Sequence, residues 1–306
     1  MICCLQEVVR RRSVAALADT LSQFRYVATA TFGPQVRGGL VVLSRYPISF
    51  KRFERYLVSR HAPPSLGDWL MQKGRLLTRV ERPEGAIQVI NTHLQSNPTG
   101  EWSRPNRWNR RQAAELLQLR STVFTADERV PLVVAGDFNT PSDFAPFQDF
   151  LRATGLVDSM AGDPRPTCRA SDDLLNLTAI DHLLVRPPAG LRPMVEATLT
   201  FENEQLEIPG GHLVQLSDHF GIAADMKFID GGDGWPQPPA PVVMTAWQPR
   251  GIWTNTWSAR RCSRDPFKPE LDASERRLIC ECCHGPDGPG EPADRARSWH
   301  PSAGLL

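Results

Sequence analysis

The chain has 306 residues, 41% of them hydrophobic, and a formal net charge of +1. This length leaves room for one large domain with a sizeable core and a tail. The near-neutral charge provides no global field that would attract nucleic acid, which disfavours a general, high-affinity nuclease. No apolar run is long enough to span a bilayer, no signal peptide is visible, and the seven cysteines are interpreted as reduced thiols. We therefore expect a cytoplasmic protein without a transmembrane segment.

The first 228 residues carry the patterns of three helices and nine strands. The spacing of apolar residues predicts helices over Ser13–Phe24, Arg107–Thr122 and Ser142–Thr154, the last with Ser142 as its N-cap and Gly155 as its end. Apolar and β-branched runs predict strands over residues 2–5, 26–31, 40–44, 48–53, 75–80, 86–90, 130–135, 183–185 and 222–226. Residues 55–72 form a long mixed loop, of the kind that often frames a substrate cleft.

Five clusters of polar side chains lie at the ends of predicted strands. Polar residues at the edge of a sheet are a common way to build an active site. The clusters carry, in chain order, Glu7, His93, the pair Asp137 and Asn139, the pair Asp181 and His182, and the pair Asp218 and His219. Each cluster alone is also typical of a surface turn or a helix start, and His182 is expected only to pack or hydrogen-bond locally. Their joint presence indicates one composite site.

The residue types in these clusters favour a narrow chemistry. The carboxylates of Glu7, Asp137 and Asp218 suit Mg²⁺ or Mn²⁺, which prefer oxygen ligands. Histidines beside carboxylates suit proton transfer near neutral pH, and an asparagine amide can donate a hydrogen bond to a phosphoryl oxygen. The sequence has neither a Gly-rich phosphate loop with Lys nor a G-x-S-x-G elbow. Metal-assisted attack of water on a phosphate ester fits this set best.

The order of these motifs resembles the endonuclease/exonuclease/phosphatase superfamily, which includes DNase I-like nucleases, inositol phosphatases and neutral sphingomyelinases. The resemblance covers residues 1–228 and rests on residues 5–8, 38–48, 91–94, 136–139, 180–182 and 217–219. It implies an α/β fold, a four-layered sandwich in which two packed mixed β-sheets are flanked by helices. It also implies Mg²⁺ as the cofactor, with Mn²⁺ as the alternative, and a phosphodiester as the substrate.

The same resemblance assigns roles to seven residues. The family's metal-binding positions match Glu7 and Asp218, and its catalytic positions match His93, Asp137, Asn139, Asp181 and His219. In the family, the residue matching Asp181 orients the catalytic histidine that matches His219. The pair matching Asp137 and Asn139 positions the attacking water and stabilises the transition state, and the residue matching His93 contacts the scissile phosphate in several members.

The start of the chain departs from the family pattern. Family members usually begin with a strand that carries an Asn well upstream of the metal-binding Glu. Glu7 lies six positions after Met1 (7 − 1 = 6), so we expect that first strand to be missing. At the other end, residues 229–306 are rich in Pro, Gly, Arg and Trp without clear periodicity, and we expect a linker followed by a disordered tail.

Features around the second cluster bear on the substrate. Lys73-Gly74 before the strand, the run Thr92 to Gln95 on it and the helix after it look like neutral sphingomyelinases and related phospholipid phosphodiesterases. The intervening loop combines basic and aromatic residues, namely Trp102, Arg104, Arg107, Trp108, Arg110 and Arg111. These could contact a membrane surface, bind nucleic acid, or form an ordinary solvated helix start. A phospholipid substrate is favoured; a nuclease, or a non-catalytic binding protein on the same fold, is the alternative. The sequence does not predict the oligomeric state.

Overall fold

The computed structural model describes residues 1–57, 71–169, 178–208 and 210–230, all within one compact unit, Met1–Ala246. These residues form the following elements, in chain order: β1 Ile2–Leu5, α1 Arg11–Thr20, β2 Tyr26–Phe32, β3 Gln35–Ser44, β4 Ile48–Arg55, β5 Gly74–Arg82, β6 Gly85–His93, α2 Arg107–Thr125, β7 Leu132–Asp137, α3 Ala145–Thr154, β8 Val157–Asp158, β9 Asp181–Arg186, β10 Leu191–Thr200, β11 Gln205–Ile208, β12 His212–Gln215 and β13 Gly221–Asp230. Residues 58–70 of the predicted long loop and residues 231–306 of the predicted tail lie outside the described residues.

The larger of two main sheets is mixed and places β6, β7 and β9 side by side, in the order β4-β5-β6-β7-β9-β8. Strands β6 and β7 run parallel, whereas β9 runs antiparallel to β7. The carboxyl ends of β6 and β7 therefore meet the amino end of β9 at one edge of the sheet. That edge carries His93, Asp137 and Asp181 in lateral register.

The remaining described strands form smaller sheets. The second main sheet is three-stranded and antiparallel, in the order β1-β3-β2. Strands β10 and β13 form a long antiparallel pair from Leu191↔Asp230 to Thr200↔Gly221. The short β11 and β12 pair only with each other among the described strands, as a hairpin between β10 and β13 in the chain.

The buried residues define four layers. Apolar residues of α2, α3, β6 and β7, such as Leu119 and Phe147, form the largest core cluster on the outer face of the mixed sheet. Clusters around Leu40 and Val133 fill the space between the mixed sheet and the smaller sheets. Val14 and Leu21 cover the far side of the three-stranded sheet. This arrangement confirms the predicted α/β sandwich, although the smaller main sheet is antiparallel in the described residues.

Local capping chemistry confirms one of the two predicted caps and adds one that the sequence analysis did not predict. The Asn106 side chain caps α2 by accepting hydrogen bonds from two backbone amides. Gly155 ends α3 in the left-handed conformation, with φ +66°. The prediction of Ser142 as N-cap of α3 was wrong, because the helix begins three residues later and Phe144 occupies the N-cap position without a side-chain cap bond. Among the described helices, none has both the length and the apolar character needed to cross a bilayer.

Candidate active site

The edge formed by β6, β7 and β9 gathers the central members of the predicted site. His93, Asp137 and Asp181 lie opposite one another across these three strands. Gly136 makes this close spacing possible, because an added Cβ would lie 1.9 Å from the carbonyl oxygen of Thr92. The sequence prediction of a polar cluster at the carboxyl end of a buried strand is thus confirmed in its geometry.

Asp137 is buried and receives hydrogen bonds at both carboxylate oxygens. The backbone N–H of Asn139 donates to Oδ1 at 2.8 Å, and the side-chain Nδ2 of Asn139 donates to Oδ2 at 2.9 Å. His93 Nε2 lies 3.3 Å from the same Oδ2. Burial alone would raise the pKa of Asp137, but the hydrogen bond from His93 and nearby positive charges lower it below its ordinary value. Asp137 is therefore held as an oriented carboxylate.

His219 and Asp181 form a pair at the mouth of the site. His219 Nδ1 lies 2.8 Å from Asp181 Oδ2, and 27% of the His219 side chain is exposed. Burial alone would lower the pKa of His219, but the hydrogen bond to Asp181 and the charges of Asp181, Asp137 and Asp218 raise it to about 9. Burial and the neighbouring Asp137 raise the pKa of Asp181. Among the described residues, none bonds to Nε2 of His219, which leaves this nitrogen for a substrate or water.

The Asp137–Asn139 pair and the Asp181–His219 pair lie close to each other. Asp137, Asp181 and His219 each present a ligand atom within 4.8 Å of the others, as a group able to hold a metal ion would. Two carboxylates and an imidazole at this distance can also handle protons between them. Their hydrogen bonds to Asn139, His93 and one another already use most of their polar atoms.

Glu7 and Asp218, the predicted metal ligands, lie outside that close group and are exposed. Glu7 follows the end of β1 with φ +58°, and its backbone packs against Gly39. Its neighbour Gln6 donates a hydrogen bond to Asn91, two residues before His93, which ties this segment to β6. In the described part of the chain no hydrogen bond or ion pair is present at the Glu7 carboxylate, and the Asp218 carboxylate accepts only a long hydrogen bond, from Ser217 Oγ at 3.4 Å. Both carboxylates are accessible to an ion.

Several residues support the site in roles that the sequence analysis did not assign to them. Gln112 on α2 donates to the backbone carbonyls of Gln95 and Asn139. Lys73 is buried and donates to the carbonyl of Leu94, which also accepts from Asn139. His182, which was expected to pack or hydrogen-bond locally, bonds to Asp158, 24 positions away in the chain, and to the carbonyl of Thr140. Lys73 and the helix that carries Gln112 entered the sequence analysis only as marks of a substrate subclass, because no local pattern indicates which distant carbonyl a side chain will bind.

An exposed hairpin stands next to His219 in the chain. All eight residues of β11 and β12 are exposed, and Leu206, Ile208 and Val214 lie on one of its faces by register. Arg169 ties both ends of this segment together, since its guanidinium donates to the carbonyls of Phe201, Glu202 and Ser217. The hairpin is therefore anchored next to the segment that holds the catalytic candidate His219, two residues before β13.

The basic and aromatic loop before α2 is less open than its composition suggested. Trp108 is only 7% exposed, and the guanidinium groups of Arg107 and Arg111 lie 4.3 and 5.3 Å from its ring centroid. Trp102 packs against the largest core cluster. Neither ring is presented as a stacking platform for bases, and the arrangement favours the helix-start interpretation.

Comparison with known proteins agrees with this geometry. A model of the endonuclease/exonuclease/phosphatase family matches residues 2–219. The fold is similar to sphingomyelinase C from Streptomyces griseocarneus (TM-score 0.53, 17% identity, 73% of this chain and 85% of that one) and to SmcL (TM-score 0.54, 16% identity, 75% and 85%). It is also similar to TDP2 from D. rerio complexed with a single-strand DNA product (TM-score 0.53, 14% identity, 74% and 85%). No curated protein sequence matches the chain.

The family match spans more than two thirds of the chain and covers every element that contributes to the site, from Glu7 to His219. The order of the strands and the meeting of Asp137, Asp181 and His219 at one edge agree with it. The chain belongs to the endonuclease/exonuclease/phosphatase family.

Proposed function

We propose that this protein is a metal-dependent phosphodiesterase that hydrolyses a phosphate ester with water, and that its substrate is a phospholipid of the sphingomyelin type. The observation that carries the proposal is the meeting of the Asp137–Asn139 pair and the Asp181–His219 pair at one sheet edge. Members of the family hydrolyse phosphate esters, and this edge holds the residue types that such hydrolysis needs.

The proposed roles of the chain's own residues follow from their surroundings. Asp137 is a fixed carboxylate at which a water molecule can be oriented, because both of its oxygens are held by Asn139. His219 transfers a proton to or from the reacting oxygen through its open Nε2, while Asp181 holds the opposite nitrogen and the ring orientation. We assign the contact with the phosphate to His93, which lies nearly fully buried beside Asp137.

The residues present fit a hard divalent cation. Glu7 and Asp218 offer exposed carboxylate oxygens with few competing partners among the described residues, which is the donor set that Mg²⁺ or Mn²⁺ takes. We assign the ion to these two residues because the other candidates already have hydrogen-bond partners. Asp137 is bonded to Asn139 and His93, and Asp181 is bonded to His219. When bound, the ion would neutralise charge on the phosphate and lower the pKa of water.

The hairpin favours a lipid over nucleic acid. Leu206, Ile208 and Val214 expose an apolar face on the hairpin that Arg169 anchors next to Asp218 and His219 in the chain, and such a surface fits the acyl and headgroup boundary of a membrane. Residues 201–216 include three Glu and no Lys or Arg. This charge repels the phosphates of a nucleic acid and of anionic lipids, so a zwitterionic headgroup is the best match.

A first experiment tests catalysis. The purified protein is expected to hydrolyse a soluble chromogenic phosphodiester in the presence of Mg²⁺, and to lose that activity in EDTA. Replacing Glu7 by Gln should raise the Mg²⁺ concentration needed for half-maximal rate. Full activity in EDTA, or no activity on any phosphate ester, would overturn the proposed function and favour the non-catalytic alternative.

A second experiment tests the substrate class. The double variant Leu206→Asn/Val214→Asn should lose about tenfold or more of its activity on sphingomyelin vesicles while keeping its activity on the soluble ester. Leu117→Asn, an exposed leucine on α2, serves as the matched control and should leave both activities unchanged. Preferential cleavage of plasmid or abasic-site DNA over vesicles would instead assign the protein to the nucleases of the family.

A further inference from the structure

Two consecutive backbone carbonyls next to the site are held by buried side chains from different elements. Gln112 Nε2 on α2 donates to the carbonyl of Asn139 at 2.7 Å. His182 Nε2 on β9 lies 2.9 Å from the carbonyl oxygen of Thr140. Gln112 is fully buried and His182 is 2% exposed. We call these two interactions the carbonyl clamp.

The His182 part of the clamp has a fixed direction. A carbonyl oxygen can only accept a hydrogen bond, so Nε2 of His182 carries the hydrogen. The other ring nitrogen, Nδ1, lies 2.8 Å from Asp158 Oδ2, and the second oxygen of Asp158 accepts from the backbone N–H of Met160 at 3.0 Å. The ring of Phe147 stacks on His182 at 4.3 Å. The imidazole therefore cannot turn away from Thr140 without breaking several contacts.

The clamp acts on a backbone conformation that needs support. Asn139 has φ +52°, in the left-handed region, which a non-glycine residue adopts at a cost of about 1 kcal/mol. This conformation brings both the backbone N–H and the side-chain amide of Asn139 onto the two oxygens of Asp137. A loop that relaxed from it would release Asp137 from its orientation.

Gln112 extends the support to the neighbouring strand. Its Nε2 also donates to the carbonyl of Gln95 at 2.9 Å. Because Gln95 follows β6 and Asn139 follows β7, one amide group connects the two segments that carry His93 and Asp137. Neither Gln112 nor His182 contacts Asp137 or His219 through a hydrogen bond, so any effect of these two residues on the reaction is indirect.

We propose that Gln112 and His182, with Asp158 behind it, are positioning residues that lock Asn139 in its left-handed conformation and thereby orient Asp137. The expected effect on the rate rests on the proposed phosphodiesterase function. The expected effect on the conformation of Asn139 does not depend on that function. The residues following β7 should then be rigid because Gln112 on α2 and His182 on β9 donate hydrogen bonds to them. Loss of either donor should lower the reaction rate more than it weakens substrate binding.

A matched pair of substitutions at His182 separates positioning from simple packing. In His182→Gln the amide nitrogen can replace Nε2 and keep the bond to Thr140, whereas in His182→Asn it can replace only Nδ1 and keep the bond to Asp158. Both variants lose the ring and one hydrogen bond. We expect His182→Asn to lower kcat by about tenfold or more relative to His182→Gln with little change in KM, because misplacement of a reacting group costs rate rather than binding.

Amide hydrogen exchange in metal-free protein gives a readout that needs no activity. The N–H of Asn139 donates to Asp137, so its exchange rate reports whether the loop holds its conformation. Exchange should be faster in His182→Asn than in His182→Gln by about tenfold. Gln112→Met should speed it likewise, whereas Gln118→Met, on the same helix, should not.

The positioning role of Gln112 and His182 can be overturned by either pair of variants. Equal kcat and equal Asn139 exchange in the two His182 variants would overturn the inference. If both His182 variants fail to fold, the comparison of Gln112→Met with Gln118→Met decides instead, and equal exchange in these two would also overturn it. A wild-type protein without activity on any ester, combined with the expected exchange difference, would refute the proposed function while leaving the carbonyl clamp intact.

Discussion

Two histidine–aspartate pairs lie back to back on β9 and differ mainly in their access to solvent. In each pair a histidine Nδ1 lies 2.8 Å from a carboxylate oxygen, and the pairs use the consecutive residues Asp181 and His182. Because successive residues of a strand point to opposite faces, Asp181 faces the open edge and His182 faces the core under α3. The His219 side chain is 27% exposed, whereas that of His182 is 2% exposed.

The difference shows that partners, more than residue type, set what a histidine can do. Both ring nitrogens of His182 are taken, by Asp158 and by Thr140. In the described residues His219 has only Asp181 as a hydrogen-bond partner of its ring, so Nε2 is available to a reacting oxygen. One pair is suited to proton transfer and the other to holding a loop.

The largest expected effect concerns the open pair. His219→Ala should lower kcat on a soluble phosphodiester by about 10² to 10⁴, the usual contribution of a positioned acid or base. His212→Ala, which removes an exposed imidazole from β12, is the control and should retain full activity. A His219→Ala enzyme with wild-type kcat would erase the functional distinction between the two pairs.

The next effect concerns the buried pair. His182→Ala leaves the carboxylate of Asp158 buried without its partner, which should lower the free energy of unfolding by about 3 kcal/mol. Urea denaturation at fixed pH measures this loss. His219→Ala, treated in the same way above pH 9, should lose clearly less, because its pair is partly open to water and the His219 imidazole is largely uncharged there. Equal losses in the two variants would mean that exposure does not distinguish the pairs.

A smaller effect is a dependence of stability on pH in the metal-free protein. The folded-state pKa of His219 is raised from 6.5 to about 9, so its charged form is favoured by folding. The resulting stabilisation is fully present below 6.5 and is lost as the pH rises through about 9. The difference in unfolding free energy between wild type and His219→Gln should therefore shrink between about pH 6 and pH 10. A difference that stays constant over this interval would contradict the assignment.

The smallest effect concerns the aromatic support of the buried pair. Phe147→Leu removes the ring that stacks on His182 but keeps an apolar side chain, and should cost about 1 to 2 kcal/mol of unfolding free energy. Phe124→Leu, at a 52% exposed position of α2, should change it by less than about 0.5 kcal/mol. Thermal or urea unfolding of both variants makes the comparison. If Phe147→Leu lost no more unfolding free energy than Phe124→Leu, the stacking of Phe147 on His182 would not stabilise the protein.

The sequence was sufficient for the parts of the molecule that local pattern dictates. Apolar runs predicted β6 and β7. The switch from apolar to polar residues at the end of each run predicted that His93 and Asp137 lie at the sheet edge, because that is where a buried strand ends. The resemblance to a family placed Asp181 and His219 in one site, and the structure brings these two side chains together.

The parts that the sequence did not predict depend on distant partners. Asp158 and His182 are 24 positions apart, and the acceptor on Thr140 is a backbone carbonyl, which every residue has. Nothing local to His182 indicates such partners. The hairpin of β11 and β12 was missed because all of its residues are exposed, so that no alternation between a buried and a solvated face marks it.

The alternation of Asp181 and His182 on β9 also has a consequence for how the family can vary. Deleting or inserting one residue just after this dipeptide, inside β9, would leave the rest of the strand in register and rotate Asp181 and His182 to the opposite sides, sending an imidazole toward water and a carboxylate into the interior. Both histidine pairs would be lost in one event. Length changes in natural variants should therefore be confined to segments away from these two positions, and a random indel library should recover no folded, active clone altered there.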